Sequence, residues 1–432
     1  MAWLNGAAVF ALTLEFLGRI IMADQIIIVG ASHAGISCAE QLRANGYAGR
    51  ICIIDRLLGA PLERPPLSKA FLQADGDDDA KFLLRRPDWF AAHDIDLLDG
   101  RDVVSIDPVQ KQLNLDDGSQ HGYDRLVLAT GAVPRQLAAA AGLDGVFVLR
   151  HPDDAHALRM AVSGCQHAVV IGGGYIGLEV AASLTKLGLR VDVIEMADRL
   201  LARVASPQIS AFFAELHQSH DVRLHLGANC QEILQKDDAF AGVQLDDGSQ
   251  IAAELLLVGI GVMPDLDLAG SAGITAGNGI LVDAMMQSSV QDIFAIGDVA
   301  LIDGAALRIE SVDNAQMTAA RAAASICGLA QPAMAAPWFW SEQFDVRLQS
   351  AGIVPLASPD LRHQVRPGKR EGGFSVWSYG DNGQLAAVEA VRDPAGYMLG
   401  KKCLDLGLSP DPDDIGNGDF DLKAFVAARG EK

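Results

Sequence analysis

Two glycine-rich segments have the spacing of dinucleotide-binding fingerprints. The first is GASHAG at residues 30–35, directly after the apolar run 26–29, and the second is GGGYIG at residues 172–177, directly after the apolar run 168–171. In such a fingerprint the glycines let the backbone approach a pyrophosphate, and the following helix presents oriented N–H groups to it. The pattern predicts two dinucleotide sites in one chain, and the glycines expected at them are Gly30, Gly35, Gly172, Gly174 and Gly177.

An acidic residue follows each fingerprint, about 20 residues after its last glycine and at the end of an apolar run. These residues are Asp55 and Glu195, whose carboxylates would accept hydrogen bonds from ribose hydroxyls. Glu195 favours NADH, because a carboxylate accepts the 2′-hydroxyl and repels the 2′-phosphate of NADPH. Met196 and Ala197 supply no arginine for such a phosphate. Arg56, next to Asp55, either pairs with a phosphate or is exposed.

Three further apolar runs, each ending in a glycine or small-residue turn, connect the two sites within one fold. The apolar run 293–296 ends in Gly297 and Asp298, which places a carboxylate at a strand tip, where open α/β sheets bind ligands. The run 126–129 ends in a small-residue turn, and the run 255–261 ends at Gly261, where the chain crosses back towards its first part. In this order the segments resemble the two-dinucleotide flavoproteins of the disulfide-reductase superfamily. The resemblance implies that FAD binds the first fingerprint and the Gly-Asp turn, and that NAD(P)H binds the second fingerprint.

This resemblance and the alternation of strands and helices predict an α/β fold. It would contain two Rossmann-like dinucleotide-binding domains, as in glutathione reductase, and a C-terminal α+β domain. We expect an FAD-binding domain at residues 22–128 and 260–336, an NAD-binding domain at 129–259 and an interface domain at 337–432. Residues 1–21 lack a basic leading region and are interrupted by Glu15 and Arg19, which favours a leader or an upstream start over a membrane span.

Length, charge and cysteines exclude several classes of protein. The 432 residues, 50% of them apolar, suffice for about three folded domains. The net charge of −21 argues against a general affinity for nucleic acid or an anionic membrane. The six cysteines are scattered without metal-ligand spacing, which predicts no metal site and a reducing compartment, the cytoplasm. None lies in residues 61–72, where thiol-dependent relatives carry theirs, so we expect no thiol chemistry at the flavin.

Three further motifs are ERPPLSK at residues 63–69, IESVDN at 309–314 and PWFWSEQ at 337–343. Together they resemble the ferredoxin reductases of bacterial oxygenase systems, of the putidaredoxin-reductase and biphenyl-dioxygenase-reductase type, over about residues 24–425. By its chemistry alone, ERPPLSK is a double-proline turn that presents Ser68 and Lys69 at a helix start, or a capped turn with a surface lysine. Beyond the glycines, the resemblance implies FAD contacts from Ala34, Lys69, Val103, Arg135, Asp298 and Val312. Gly261 and Glu310 complete the expected cofactor-binding residues.

The same resemblance assigns catalytic roles to Lys69, Glu179 and Trp340. Lys69 would stand at the reactive edge of the isoalloxazine, where a fixed cation stabilises negative charge that develops on reduction. Glu179, in the helix of the second fingerprint, would face it from the nicotinamide side, and opposite charges there keep both groups ionised. Trp340 would lie on the side where electrons leave.

Two positions depart from the family pattern. Ser32 replaces the middle glycine of the first fingerprint, so we expect a modest weakening of FAD binding at most, since serine can also donate to phosphate. The family places its ribose-binding acid one or two residues beyond position 55, where this chain has Arg56 and Leu57. Asp55 is the nearest acidic residue that could replace it in the contact with the FAD adenosine.

These observations predict an FAD flavoprotein that takes a hydride from NADH and passes single electrons to a [2Fe–2S] ferredoxin supplying an oxygenase. The alternatives are reduction of a rubredoxin or a small acceptor, and a redox-sensing role of the apoptosis-inducing-factor type. An acidic ferredoxin needs a positive docking surface on this acidic protein. The candidates are the basic run at residues 362–370, which we expect around Trp340, and Lys401 with Lys402.

Overall fold

The computed structural model describes residues 24–74, 79–354 and 362–429, and the predicted leader at 1–21 lies outside the described residues. Contacts divide the described chain into two units. The first unit contains residues 24–61, 83–132 and 264–332, and the second contains residues 62–74, 79–82, 133–263, 333–354 and 362–429. Residues 62–74, which carry Lys69, therefore group with the second fingerprint.

The secondary structure consists of short strands and helices. The strands are β1 (Gln25–Val29), β2 (Arg50–Asp55), β3 (Ile95–Asp99), β4 (Val103–Asp107), β5 (Gln112–Leu115), β6 (Gln120–Gly122), β7 (Arg125–Leu128), β8 (Ala132–Pro134), β9 (Val146–Phe147), β10 (His167–Ile171), β11 (Arg190–Glu195), β12 (Arg223–Leu226), β13 (Cys230–Lys236), β14 (Ala239–Leu245), β15 (Gln250–Ala252), β16 (Leu255–Val258), β17 (Val262–Pro264), β18 (Ala276–Gly277), β19 (Gly279–Val282), β20 (Ile293–Ala295), β21 (Ala300–Ile302), β22 (Trp338–Gln343), β23 (Val346–Gly352), β24 (Arg362–Pro367), β25 (Phe374–Tyr379) and β26 (Leu385–Val391). The α-helices are α1 (His33–Ala44), α2 (Pro87–Ala92), α3 (Pro152–Val162), α4 (Tyr175–Lys186), α5 (Pro207–Ser219), α6 (Asp267–Ser271), α7 (Val312–Ile326), α8 (Pro394–Asp405), α9 (Pro412–Gly416) and α10 (Leu422–Ala427).

The first unit is built on a parallel sheet of five strands in the order β20-β7-β1-β2-β3. Ile26, Ile27 and Ile28 of the central strand β1 are completely buried, since a parallel sheet is covered on both faces. This burial accounts for the continuous apolar run before the first fingerprint. α1 follows β1 and packs against α7, which Ser311 caps by accepting a hydrogen bond from Asn314 N at 3.1 Å.

The second unit contains another parallel sheet of five strands, β12-β11-β10-β16-β9, with β10 in its centre. α4 follows β10 and packs against β11 and β22. The C-terminal part is an antiparallel sheet, β22-β23-β26-β25-β24, followed by α8, α9 and α10. The predicted class, two Rossmann-like units and a C-terminal α+β part, is confirmed. Among the described helices, none has the length and apolar character needed to cross a membrane.

Two local expectations are wrong. The ERPPLSK motif begins no regular helix, because Pro66 O accepts hydrogen bonds from both Lys69 N (2.9 Å) and Phe71 N (3.0 Å), and residues 65–73 form successive turns. The basic run does not surround Trp340, because β22 and β24 are opposite edges of the C-terminal sheet. Neighbouring strands lie about 4.8 Å apart, so the two edges are separated by roughly 19 Å.

Candidate functional site

The first fingerprint is a tight turn between β1 and α1. Gly30 has a φ of +110°, and a Cβ built on it would lie 2.4 Å from Ala129 O. A Cβ on Gly35 would lie 1.8 Å from Gly30 O, so only glycine fits at both positions. Ser32 is the N-cap residue of α1, and its hydroxyl makes no capping bond to this helix. The helix N-terminus and the serine hydroxyl together fit a phosphate.

Asp55, at the end of β2, is directed at this turn. Its Oδ2 accepts a hydrogen bond from Ala31 N, and its Oδ1 accepts one from Leu57 N at 2.8 Å. Arg56 is exposed and makes an ion pair with Asp265 at 3.4 Å. Burial raises the pKa of Asp265 above its usual range.

The second fingerprint repeats this geometry between β10 and α4. Gly172 has a φ of +111°, and a Cβ on it would lie 2.4 Å from Gly259 O. A Cβ on Gly177 would lie 2.1 Å from Gly172 O, whereas one on Gly174 would meet no described atom within 4 Å. The open side at Gly174, the N-cap residue of α4, is where a pyrophosphate can approach.

Glu195 holds the second fingerprint as Asp55 holds the first. Its Oε2 accepts a hydrogen bond from Gly173 N at 2.6 Å, and its Oε1 accepts one from Ala197 N at 2.8 Å. In both units the carboxylate therefore binds the residue directly after the first glycine. The two cradles fit FAD and NADH: each has glycines that exclude side chains, a helix N-terminus and an acid at the next strand tip.

A buried ion pair joins the ERPPLSK motif to α4. Lys69 Nζ lies 2.6 Å from Glu179 Oε2, and the two side chains are 15% and 5% exposed. Ser68 Oγ donates to the same oxygen at 2.5 Å, and Ser341 Oγ donates to Glu179 Oε1 at 2.7 Å. Lys69 also donates to Pro65 O at 3.0 Å. The carboxylate thus receives three charge-assisted hydrogen bonds, which offset the cost of its burial.

Most of the remaining expected contacts in the first unit lie near α1 and α7. Gly297 packs on α1, since a Cβ built on it would lie 2.8 Å from Cβ of Ala34, and it is the neighbour of Asp298. Glu310 pairs with Arg308 at 2.6 Å, just before α7. Val103 is buried at the start of β4, and Val312 is the first residue of α7.

In the second unit, the backbone N–H of Arg135 donates to Gly261 O at 2.9 Å, so these two expected contacts are neighbours. Trp340 lies on β22, and its ring stacks on Trp338 with centroids 5.5 Å apart. Phe339, between them in sequence, contacts the ring of Tyr175 in the second fingerprint, with centroids 4.4 Å apart. β22 therefore contacts α4 at two positions, Tyr175 and Glu179.

Comparison with known proteins places this geometry in a family. Residues 24–319 match the family model described as pyridine nucleotide-disulphide oxidoreductase. The chain belongs to that family. Residues 338–426 also match the model described as reductase C-terminal. The chain is 39% identical over 407 residues to rhodocoxin reductase of Rhodococcus erythropolis, covering 93% of this chain and 94% of that protein.

Two solved structures of this family are similar along nearly the whole chain. The ferredoxin reductase for the CYP199A2 system of Rhodopseudomonas palustris is 39% identical with a TM-score of 0.89, covering 93% of this chain and 100% of that chain. The reductase in the covalent putidaredoxin reductase–putidaredoxin complex is 36% identical with a TM-score of 0.89, covering 95% and 99%.

Sequence reasoning did not assign the two serines that bind Glu179. The motifs that contain them were identified from the sequence, ERPPLSK for Ser68 and PWFWSEQ for Ser341. Their partner, however, is 111 residues away from Ser68 and 162 residues away from Ser341. No spacing rule connects positions so far apart. The packing of β22 on α4 brings Ser341 to Glu179, and the packing of the ERPPLSK turns on α4 brings Ser68 there.

Proposed function

We propose that this protein is an FAD-containing reductase that transfers electrons from NADH to a [2Fe–2S] ferredoxin, which in turn supplies an oxygenase. The observation that carries the proposal is the pair of glycine cradles, each held by its own carboxylate, Asp55 and Glu195. The names of similar proteins, a rhodocoxin reductase and a reductase joined to putidaredoxin, point to the same kind of acceptor.

The two cofactors are assigned to different parts of the chain. Residues 22–128 and 260–336 would bind FAD, residues 129–259 would bind NADH, and residues 337–432 would form the interface for the protein partner. Bound FAD supplies the conversion that the reaction needs, since it accepts two electrons together and releases them singly. Glu195 selects NADH, because its carboxylate accepts a ribose hydroxyl and repels the additional phosphate of NADPH.

Lys69 and Glu179 are the catalytic residues of this proposal. The ammonium of Lys69 is fixed by Glu179 Oε2 at 2.6 Å and by Pro65 O at 3.0 Å, so it is oriented before the reaction starts. A preorganised cation in a water-poor site stabilises developing negative charge far better than a mobile surface lysine. Trp340, stacked on Trp338, is assigned to the side where electrons leave for the partner.

In the cytoplasm, the ferredoxin would dock at a small group of basic side chains that form no ion pair among the described residues. Arg362 pairs with Asp413, and Arg366 donates to the backbone carbonyls of residues 415, 417 and 420, so both serve the fold. Lys369 and Arg370, in the turn between β24 and β25, are exposed and make no ion pair within the described part of the chain. Lys402 on α8 is a third exposed cation.

The deciding experiment measures NADH oxidation by the purified FAD-loaded protein, with cytochrome c as the reporter and a panel of purified [2Fe–2S] ferredoxins added one at a time. We expect fast cytochrome c reduction only when a cognate ferredoxin is present. Faster reduction of rubredoxin or of a small acceptor would replace the proposed acceptor, and slow turnover with every acceptor would favour the redox-sensing alternative.

The docking surface is tested separately with the Lys369→Glu/Arg370→Glu variant. We expect the wild-type KM for ferredoxin to rise with ionic strength, because salt screens the attraction between the two proteins. The variant should have a higher KM that rises less with ionic strength, and its turnover with ferricyanide should be unchanged, because only the protein partner needs the charge complement. Lys402→Glu makes the same kind of charge reversal on α8 and tests that lysine as the other candidate for the dock. An unchanged KM in both variants would contradict an electrostatic dock at either place.

A further inference from the structure

A chain of buried hydrogen bonds extends from Glu179 into the C-terminal sheet. Ser341 Oγ lies 2.7 Å from Glu179 Oε1, and Gln343 Nε2 lies 3.2 Å from Ser341 Oγ. His217 Nε2, on α5, lies 2.8 Å from Gln343 Oε1. Ser341, Gln343 and His217 are completely buried. Ser341 and Gln343 are alternate residues of β22, so their side chains leave the same face of the strand.

Each hydrogen bond in this chain can run in only one direction. An ionised carboxylate only accepts, so Ser341 must donate its hydroxyl hydrogen to Glu179. The serine oxygen then accepts from the Gln343 amide nitrogen, which leaves Gln343 Oε1 to accept from His217 Nε2–H. Burial lowers the pKa of His217 to about 4, so the ring is neutral. Its hydrogen is on Nε2, because the neighbour of that nitrogen, Gln343 Oε1, can only accept.

We propose that Ser341 is a positioning residue for Glu179, and that Gln343 and His217 fix the direction of its hydroxyl. The inference rests on the proposed function, because it concerns the NADH side of the same reaction. Ser341 holds Oε1 of the carboxylate, so Oε2 stays on Lys69 Nζ at 2.6 Å. The C-terminal sheet therefore contributes to the hydride-transfer site as well as to the partner interface.

The physical reason is the geometry of a carboxylate with two oxygens in a buried site. Without the Ser341 donor, Oε1 loses its hydrogen bond at a position where only 5% of the side chain reaches solvent. The carboxylate then rotates towards other donors, and the Lys69 ammonium moves with it. Displacements of about 1 Å in a reacting site reduce rates by up to 100-fold, so we expect a clear kinetic effect with little change in affinity.

The experiment compares Ser341→Ala, Ser341→Thr and Ser341→Val in stopped-flow reduction of the FAD-loaded protein by NADH. Thr and Val have the same shape, and only Thr keeps the hydroxyl. We expect the limiting rate of flavin reduction to fall at least tenfold in the Ala and Val variants and to stay within about threefold of wild type in the Thr variant. The NADH dissociation constant should change less than threefold in all of them. Ser350→Ala, a buried serine on the neighbouring strand β23, should be reduced at the wild-type rate.

A double-mutant cycle shows whether Ser341 acts through Glu179. In the Glu179→Gln background, Ser341→Ala should cost no further rate, because the group that it positions has already changed. Full additivity would overturn the proposal, and so would a wild-type rate in Ser341→Ala. If the Thr and Val variants do not fold, the cycle alone decides.

These outcomes are distinct from a failure of the proposed function. Wild-type protein that NADH reduces normally, but that reduces no ferredoxin, contradicts the proposed acceptor and leaves the positioning role to be decided by the same rates. Wild-type protein that NADH does not reduce contradicts both proposals. Reduction by dithionite, which bypasses Glu179, should be equal in all variants.

Discussion

Glu389 should make the protein less stable as the pH rises from 5 to 8. Its side chain lies in β26 and is completely buried. Both of its carboxylate oxygens accept from Ser206 N, at 3.2 and 3.1 Å, at the start of α5. Burial raises the pKa of Glu389 from its ordinary value of 4.5 to about 7, against the smaller opposing effects of Ser206 and Arg199.

The sign follows from the proton bound in each state. Between pH 4.5 and 7, the folded chain keeps a proton on Glu389 that the unfolded chain has released, so the free energy of unfolding falls as the pH rises. At about 1.4 kcal/mol for each tenfold change, the full effect is about 3 kcal/mol, of which about 2.5 kcal/mol falls between pH 5 and 8. The stabilisation from protonated Glu389 is fully present below the pKa that this group has in the unfolded chain. It is lost above the pKa that it has in the folded chain.

The assay is urea denaturation of the wild type and of Glu389→Gln at pH 5 and pH 8, followed by flavin fluorescence and circular dichroism together. The amide keeps the shape and the acceptor for Ser206 but cannot ionise, so its advantage over the wild type should be about 2.5 kcal/mol larger at pH 8 than at pH 5. Glu371→Gln, at an exposed glutamate, is the matched control and should show no such difference. An advantage that is equal at the two pH values would refute the assignment of the proton to Glu389.

Three further predictions concern the cofactor sites. The wild type should prefer NADH over NADPH at least tenfold in kcat/KM, and Glu195→Arg should narrow or invert this ratio; equal efficiencies in the wild type would contradict the role of Glu195. Lys69→Ala should slow flavin reduction by NADH, measured by stopped flow, far more than it weakens FAD retention. Reduction of this variant at the wild-type rate would contradict the role of Lys69. A variant with all six cysteines replaced by serine or alanine should keep its NADH-to-ferredoxin activity if it folds, because burial holds the pKa of thiols such as Cys52 and Cys403 at about 11. Loss of activity with FAD still bound would point to a thiol in the reaction.

The Lys69–Glu179 ion pair shows how far family resemblance reaches. Lys69 and Glu179 were expected to face one another, and they form an ion pair at 2.6 Å across 110 residues of sequence. Their catalytic roles stay predictions. The resemblance did not indicate that Ser68 and Ser341 share this carboxylate, or that His217 stands behind them, because such contacts depend on which side chains the packed elements bring together.

The C-terminal sheet shows where reasoning along the chain fails. The basic run 362–370 and Trp340 lie close in sequence, but the strand order puts β24 and β22 at opposite edges. The order of strands in a sheet is a property of long-range pairing, and one-dimensional proximity does not fix it. The same packing gives Arg362 and Arg366 partners within the fold and leaves Lys369 and Arg370 exposed.

Local sequence is sufficient to predict the two glycine turns, the buried strands before them and the acids after them. These features are local: a positive φ at Gly30 and Gly172, and a Cβ that would meet a backbone oxygen at 2.4 Å, allow only glycine wherever this turn is built. The residues that surround Glu179 and the positions of the exposed cations depend instead on long-range packing. Those contacts join residues more than 100 positions apart, and their free energy arises from burial and hydrogen bonding between packed elements, which no local pattern in the chain encodes.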